Sequence, residues 1–319
     1  MTMQTAGIHH ITAFAADPQR NVDFYAGVLG LRLVKKTINY DAPEVYHLYF
    51  GDQAGSPGTI ITFFPWPEAR RGAAGGGQVG LTTFVVPEGA LGYWEERLQR
   101  LGITPMKAAR FGEAYLQFTD HEGLHLELVE RAAGPGSEWA DGGVPLAYAI
   151  KGFGGAVLYS TDAPGTMQTL EQVLGLERVG EDVGFVRFRA QAALGNIIDV
   201  PQTSVSRGRG GAGTVHHIAW RAQDADEHRE WQRRVAASGF QPTALIDRQY
   251  FHALYFRESG GILFEIATDP PGFAVDEAPG ELGSRLMLPR WLEGRRSAIE
   301  AQLQPIEVKP PVEMEGSQP

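Results

Sequence analysis

Four segments of the chain repeat one pattern, and this repetition limits the fold more than any other feature. Each copy opens with an apolar, strand-like run, continues through an acidic residue, and then has a helix-like segment that ends in glycine. The opening runs lie at 8–17, 79–88, 153–162 and 215–224. Each copy closes with a strand introduced by glycine, at 58–62, 123–127, 195–199 and 261–265. With room for two more strands in between, the pattern predicts a β-α-β-β-β unit of about 55 to 60 residues, present four times.

Composition limits the kinds of chemistry and partners that we expect. With 43% hydrophobic residues, the 319-residue chain can bury a core, and its length favours two domains. Because it has no cysteine, any metal must bind to His, Asp, Glu or water. The net charge of −10 argues against nucleic acid or an anionic membrane as partner. Since the sequence has neither a long apolar run nor the residue order of a signal peptide, we expect a cytoplasmic protein.

The repeated unit, with histidine in its first strand and glutamate in its last, resembles the vicinal oxygen chelate superfamily, which includes glyoxalase I, extradiol dioxygenases and bleomycin-resistance proteins. The resemblance covers residues 5–270. It implies an α+β fold in which four βαβββ repeats form two curled mixed sheets, the glyoxalase/bleomycin-resistance/dioxygenase fold. By sequence, copies 1 and 2 form an N-terminal domain (1–140), and copies 3 and 4 form a C-terminal domain (141–319). The latter also includes a predicted helix at 289–303 and an irregular tail from Pro305.

In that superfamily, first-strand and last-strand positions of two paired units hold the metal, so each pairing can be tested by its residues. The first-strand positions, seven residues before each acidic residue, are His10, Leu81, Gly155 and His217. The last-strand positions are Thr62, Glu127, Asp199 and Glu265. Copies 1 and 4 together supply two histidines and one carboxylate, whereas the other pairings supply poorer sets. We therefore predict that copies 1 and 4 pair around a metal bound by His10, His217 and Glu265. Copies 2 and 3 then form a metal-free half, with its two carboxylates paired to arginine or water.

Two histidines and one carboxylate are the facial triad of non-haem Fe(II) oxygenases, which leaves coordination positions open for substrate and dioxygen. We predict Fe(II), with Mn, Zn or Ni as alternatives. The histidine doublets at 9–10 and 216–217, the stretch 247–269 and the ending 286–306 resemble hydroquinone-type ring-cleaving dioxygenases. This closer resemblance implies second-shell or substrate roles for His9, Thr12, His216, Arg248 and Tyr255. Because strand side chains alternate between faces, we expect only the second histidine of each doublet to point into the curled sheet.

The predicted activity is cleavage of a hydroquinone- or catechol-like ring with dioxygen. One alternative is a glyoxalase-type isomerase or lyase, but Thr62 stands where that enzyme class needs a fourth protein ligand. The other is a non-catalytic protein that sequesters a small molecule, although such proteins generally lack the metal trio. The sequence does not decide whether the chain forms a homo-oligomer. The sequence offers three apolar candidates for a ring pocket, Phe14, Trp220 and Phe251, and one polar candidate, His252; it gives no reason to treat His47, His121, His125 or His228 as functional.

Overall fold

The computed structural model describes residues 3–310, and each repeat forms a strand, a helix and three further strands. Copy 1 comprises β1 (Ile8–Ala15), α1 (Pro18–Val22), β2 (Arg32–Asn39), β3 (Ala42–Gly51) and β4 (Ile60–Pro65). Copy 2 comprises β5 (Gln78–Val86), α2 (Leu91–Arg100), β6 (Met106–Arg110), β7 (Glu113–Thr119) and β8 (His125–Glu130). The predicted unit is therefore confirmed in the first half of the chain.

The second half repeats the same order. Copy 3 comprises β9 (Gly152–Tyr159), α3 (Ala163–Gln168), β10 (Glu177–Asp182), β11 (Phe185–Arg189) and β12 (Ile197–Pro201). Copy 4 comprises β13 (Thr214–Ala222), α4 (Ala225–Ala237), β14 (Ile246–Asp247), β15 (Phe251–Arg257) and β16 (Leu263–Pro271). The helices of copies 1 and 3 are short and continue as π-helical turns, Asp23–Val28 and Thr169–Val173.

The acidic residue that follows each opening strand caps the next helix in three copies. The carboxylate of Asp224 accepts hydrogen bonds from the backbone N–H groups of Asp226 and Glu227, both at 2.9 Å. The caps of copies 1 and 3 are Asp17 and Asp162. Copy 2 is the exception, since Glu88 makes no cap and the carboxylate of Glu130 accepts from the N–H of Leu91 instead. The helix of copy 2, α2, therefore begins through a contact that the repeat does not encode.

Replacing Asp224 with alanine is expected to lower the free energy of unfolding by about 1 kcal/mol, because two N–H groups at the start of α4 lose their acceptor. Urea denaturation followed by circular dichroism measures this change. Glu88→Ala is the matched control, since Glu88 is exposed and caps nothing in the described chain. Equal losses in the two variants would contradict the capping role of Asp224.

The strands form two eight-stranded mixed sheets, and each sheet joins copies that are distant in sequence. In the first sheet the order is β14-β15-β16-β13-β1-β4-β3-β2, so copy 4 lies beside copy 1. In the second sheet the order is β10-β11-β12-β9-β5-β8-β7-β6, so copy 3 lies beside copy 2. Opening strands meet antiparallel at each centre, and each runs parallel to the closing strand of its own copy. Each sheet thus takes half of its strands from residues 1–140 and half from 141–319.

The second sheet places arginines between the carboxylates of its closing strands. Glu127 and Asp199 are buried at the positions that correspond to Thr62 and Glu265 of the first sheet. The guanidinium of Arg110 contacts both, with Nη1 3.0 Å from Glu127 Oε2 and Nε 2.6 Å from Asp199 Oδ2. Arg187 pairs with Asp199 as well. Buried carboxylates need a paired positive charge, and here arginine supplies it.

The C-terminal segment differs from the helix predicted at 289–303. A 3-10 turn at Glu293–Arg295 leads into α5 (Arg296–Glu300), so the helix is much shorter than expected. Residues 305–310 have no regular structure and run past α1, where Glu307 and Gln19 exchange two hydrogen bonds of 2.8 Å. The rest of the predicted tail, 311–319, lies outside the described residues. Within residues 3–310, no helix has the length and apolar character that crossing a membrane requires.

Candidate metal centre and cavity

The three predicted ligands lie side by side at the centre of the first sheet. His10 is on β1, His217 on β13 and Glu265 on β16, and β13 pairs with both of the other strands. Glu265 Oε2 lies 2.8 Å from His217 Nε2 and 3.4 Å from His10 Nε2. The two Nε2 atoms are 3.2 Å apart. All three side chains are buried, and their ligand atoms lie within 4.8 Å of one another.

A β-bulge at each histidine doublet sets the direction of its first residue. The pairing of β1 with β13 shifts register at His9 and again at His216, which makes each of these an extra residue in its strand. Bulges turn a side chain away from strict alternation and are frequent near active sites. Our expectation that only the second histidine of each doublet points into the curled sheet was therefore wrong for copy 4, because His216 lines the same cavity as His217.

The two rings of each doublet are joined through their Nδ1 atoms. The Nδ1 atoms of His9 and His10 are 2.9 Å apart, and those of His216 and His217 are 2.8 Å apart. A histidine that binds a metal through Nε2 carries its proton on Nδ1, so each ligand donates to the ring beside it. Burial lowers the pKa of His9, and burial together with His217 lowers the pKa of His216 to about 3. Both partner rings are thus neutral at pH 7 and can accept.

The donor set fits a divalent metal. Both carboxylate oxygens of Glu265 are buried, and neither has a correctly oriented hydrogen-bond donor among the residues that the structure describes. With protons on the Nδ1 atoms, His10 and His217 also present only lone pairs to Glu265. Such a group of buried acceptors is unfavourable unless a cation lies between them. Imidazole and carboxylate ligands suit iron, manganese, zinc and nickel.

A cavity of about 370 Å³ opens onto the three ligands. This volume lies near the lower end of the roughly 300–1,000 Å³ that is usual for small-molecule sites, which suits a single substituted ring. Most of its walls are aromatic, formed by Phe14, Tyr40, His47, Tyr49, Phe64, Trp66, Phe251 and Tyr255. Two of the three predicted ring-pocket residues, Phe14 and Phe251, are therefore placed in the cavity.

Arg248 and Tyr255 also line this cavity. Tyr255 on β15 stands opposite Glu265 on β16, with its ring 5.7 Å from that of His217. Burial and the neighbouring carboxylate of Glu265 raise the pKa of Tyr255, so its phenol stays protonated. Burial alone would lower the pKa of Arg248, but Tyr255 and Asp41 raise it, so the guanidinium is charged. The Cζ atom of Arg248 lies 5.6 Å from the centre of the Tyr255 ring.

The remaining predicted residues lie behind the cavity wall. His9 and Thr12 are buried and are not among its lining residues. Thr12 Oγ1 is 3.0 Å from Thr62 Oγ1, which is also 2.8 Å from His47 Nε2. The Thr62 hydroxyl at the fourth ligand position is therefore held by two neighbours.

The structure places His47 in the cavity lining, although the sequence offered no reason to treat it as functional. The hydroxyl oxygen of Tyr49 lies 2.8 Å from His47 Nδ1, within hydrogen-bond distance. A usable signal was present, since His47 and Tyr49 are two residues apart on one strand and so share a face. Two other expectations also fail, because His252 is exposed and Trp220 is buried in the core.

Comparison with known proteins identifies the family. Residues 7–128 and 152–275 match the Glyoxalase/Bleomycin resistance protein/Dioxygenase superfamily. The chain belongs to this superfamily. In this chain, the first matched range spans copies 1 and 2, and the second spans copies 3 and 4.

Relatives of this superfamily member cover nearly its whole length. It is 55% identical over 309 residues to "Putative ring-cleaving dioxygenase MhqO" of Bacillus subtilis, covering 97% of this chain and 99% of that one. It is 34% identical to "Chlorohydroquinone/hydroquinone 1,2-dioxygenase" of Sphingobium indicum, covering 92% and 94%. A solved structure of a "putative dioxygenase" from Bacillus subtilis superposes with a TM-score of 0.95 at 55% identity, covering 97% of this chain and 99% of that chain.

Proposed function

We propose that this protein is an Fe(II)-dependent dioxygenase that cleaves a hydroquinone- or catechol-like ring and inserts both atoms of dioxygen. The observation that carries the proposal is the buried group of His10, His217 and Glu265 at the base of a ring-sized aromatic cavity. Three protein ligands leave positions for substrate and dioxygen on a six-coordinate metal. The two relatives named as ring-cleaving or hydroquinone dioxygenases support the same reaction class.

The protein's own residues have separate tasks in this reaction. When bound, iron would supply the redox chemistry that dioxygen needs and would favour the phenolate form of the substrate. The aromatic walls hold the ring by stacking and exclude water. Arg248 is charged and can donate a hydrogen bond to an anionic ring oxygen.

Two groups hold protons at the cavity. His216 accepts at Nδ1 from His217, so its own proton is on Nε2, and the residue lines the cavity. The Tyr255 hydroxyl is the second donor, because its raised pKa keeps it protonated. His9 makes the equivalent contact to His10 but lies outside the lining, so we assign it to positioning of the ligand ring.

Oxygen uptake tests the proposal directly. Protein loaded with Fe(II) under anaerobic conditions is mixed with methylhydroquinone or catechol and then exposed to labelled dioxygen. We expect one dioxygen consumed per ring opened, with both labelled atoms in the product. A Zn-loaded sample is the control and should be inactive. Absence of uptake with every diphenol, or peroxide formation without ring opening, would overturn the proposal.

Tyr255→Phe is expected to lower kcat by about 100-fold with a smaller effect on KM, because a positioned proton donor is typically worth about 100-fold or more. Steady-state oxygen uptake measures both constants. Tyr148→Phe is the matched control, since Tyr148 is partly exposed and does not line the cavity. An unchanged kcat in Tyr255→Phe would leave His216 as the proton donor in this proposal.

A further inference from the structure

Two hairpin tips from copies 1 and 4 meet at the cavity through one ion pair. Asp41 is in the turn between β2 and β3, and Arg248 is in the turn between β14 and β15. Arg248 Nη1 donates to Asp41 Oδ2 at 3.1 Å. Both residues line the cavity, and the Asp41 carboxylate is 76% exposed, which places it at the solvent side of the pair.

Local hydrogen bonds define both turns. In the first, the Asn39 side-chain oxygen accepts from the N–H of Asp41 at 2.9 Å. In the second, the Asp247 carboxylate accepts from the N–H of Gln249 at 2.7 Å, and the N–H of Arg248 donates to the backbone oxygen of Phe251 at 2.9 Å. Side-chain acceptors of this kind stabilise turns. The ion pair therefore joins two independently formed turns.

Charged side chains are scarce in the lining of this cavity. Apart from the histidines and the tyrosines, the ionisable residues in the lining are Asp41, Arg248 and Glu265. Glu265 faces His10 and His217, so its charge belongs to the metal group. Asp41 is left to compensate Arg248. A ring substituent without charge suits the aromatic walls, whereas a carboxylate would lie near Asp41 and meet like charge.

We infer that Asp41 is a specificity-determining residue, which favours hydroquinones with uncharged substituents over hydroquinones that carry a carboxylate. This inference rests on the proposed function, because it requires the substrate ring to occupy the cavity. Arg248 uses Nη1 for Asp41 and keeps other N–H groups for a ring oxygen. Without Asp41, the uncompensated guanidinium would attract an additional anionic group.

Ligand binding without turnover tests the inference. The variant is Asp41→Asn, and the matched control is Glu44→Gln, because Glu44 is exposed on β3 and does not line the cavity. Dissociation constants for methylhydroquinone and hydroquinone carboxylate are measured anaerobically on the Fe(II)-loaded proteins by tryptophan fluorescence, since Trp66 lines the cavity. An exposed charge pair changes an equilibrium constant by up to about 5-fold. We therefore expect Asp41→Asn to strengthen the binding of hydroquinone carboxylate relative to methylhydroquinone by about 5-fold. Glu44→Gln should leave the ratio unchanged.

The outcomes separate this inference from the proposed function. If methylhydroquinone binds and is cleaved but the ratio does not move in Asp41→Asn, the role of Asp41 is refuted and the proposed function stands. If Glu44→Gln shifts the ratio equally, the effect reflects overall charge and the role of Asp41 is again refuted. If neither ligand binds to any of the three proteins, both proposals fail.

Discussion

Replacing His10 with alanine, or Glu265 with glutamine, is expected to abolish oxygen uptake and to remove the bound metal. Each change leaves two protein ligands of the three that meet within 4.8 Å. Removing a residue that only hydrogen-bonds a ligand lowers metal affinity by about 10- to 100-fold. Removing a ligand itself should therefore lower metal affinity by about 100-fold or more. Metal content after dialysis is measured by emission spectroscopy and compared with oxygen uptake by the same samples.

His252→Ala is the control for these substitutions. His252 is exposed on β15 and lies outside the cavity lining, so metal content and activity should stay at the wild-type level. Circular dichroism of all variants checks that the sheets are intact. If either ligand variant kept a full equivalent of metal and its activity, the metal centre would have to lie elsewhere.

Replacing Arg110 with alanine is expected to destabilise the second sheet strongly. Arg110 is 7% exposed and pairs with both Glu127 and Asp199, which are buried. Removing one partner of a buried ion pair leaves uncompensated charge and costs about 3–5 kcal/mol. Urea denaturation monitored by circular dichroism measures the change in the free energy of unfolding.

The matched control is Lys107→Ala on the same strand. Lys107 is 71% exposed and pairs with Glu95 at the surface, so its loss should cost less than about 1 kcal/mol. A loss in Arg110→Ala no greater than in Lys107→Ala would mean that the buried carboxylates find other partners. The contrast also tests whether arginine balances the buried carboxylate charges in the second sheet.

The repeat pattern predicted the four units, and the resemblance to the vicinal oxygen chelate superfamily implied the two curled sheets and the positions of the three candidate ligands. The spacing between first-strand histidine and acidic residue is the same in copies 1 and 4, and only this pairing brings two histidines and a carboxylate together. The strand order places copies 1 and 4 in one sheet and copies 2 and 3 in the other. The units themselves could be predicted because strand and helix periodicity are local properties of the chain. The pairing of units and the four ligand positions were implied by the resemblance to the vicinal oxygen chelate superfamily, and the residue types then selected copies 1 and 4.

The prediction from strand alternation was wrong where the local backbone departs from regular strand geometry. His216 reaches the cavity because a bulge adds a residue to β13, and no sequence rule applied to the doublet predicts that shift. The repeat pattern also did not predict that the helices of copies 1 and 3 change from α-helix to π-helical turns. The place of His47 in the cavity was missed because the spacing of His47 and Tyr49 on one strand gave only their shared face, whereas the cavity also needs neighbours from other strands, Thr62 among them.

The sequence by itself determined the four units, their α+β class and the residue types able to hold a metal, because these follow from short-range patterns and side-chain chemistry. Only the tertiary structure decided which rings share the cavity, how the Nδ1 atoms of each doublet meet, and that Asp41 compensates Arg248. The last contact joins residues 207 positions apart. Such contacts depend on how copies 1 and 4 join in one curled sheet and bring their turns together, which is a property of the whole chain rather than of any segment.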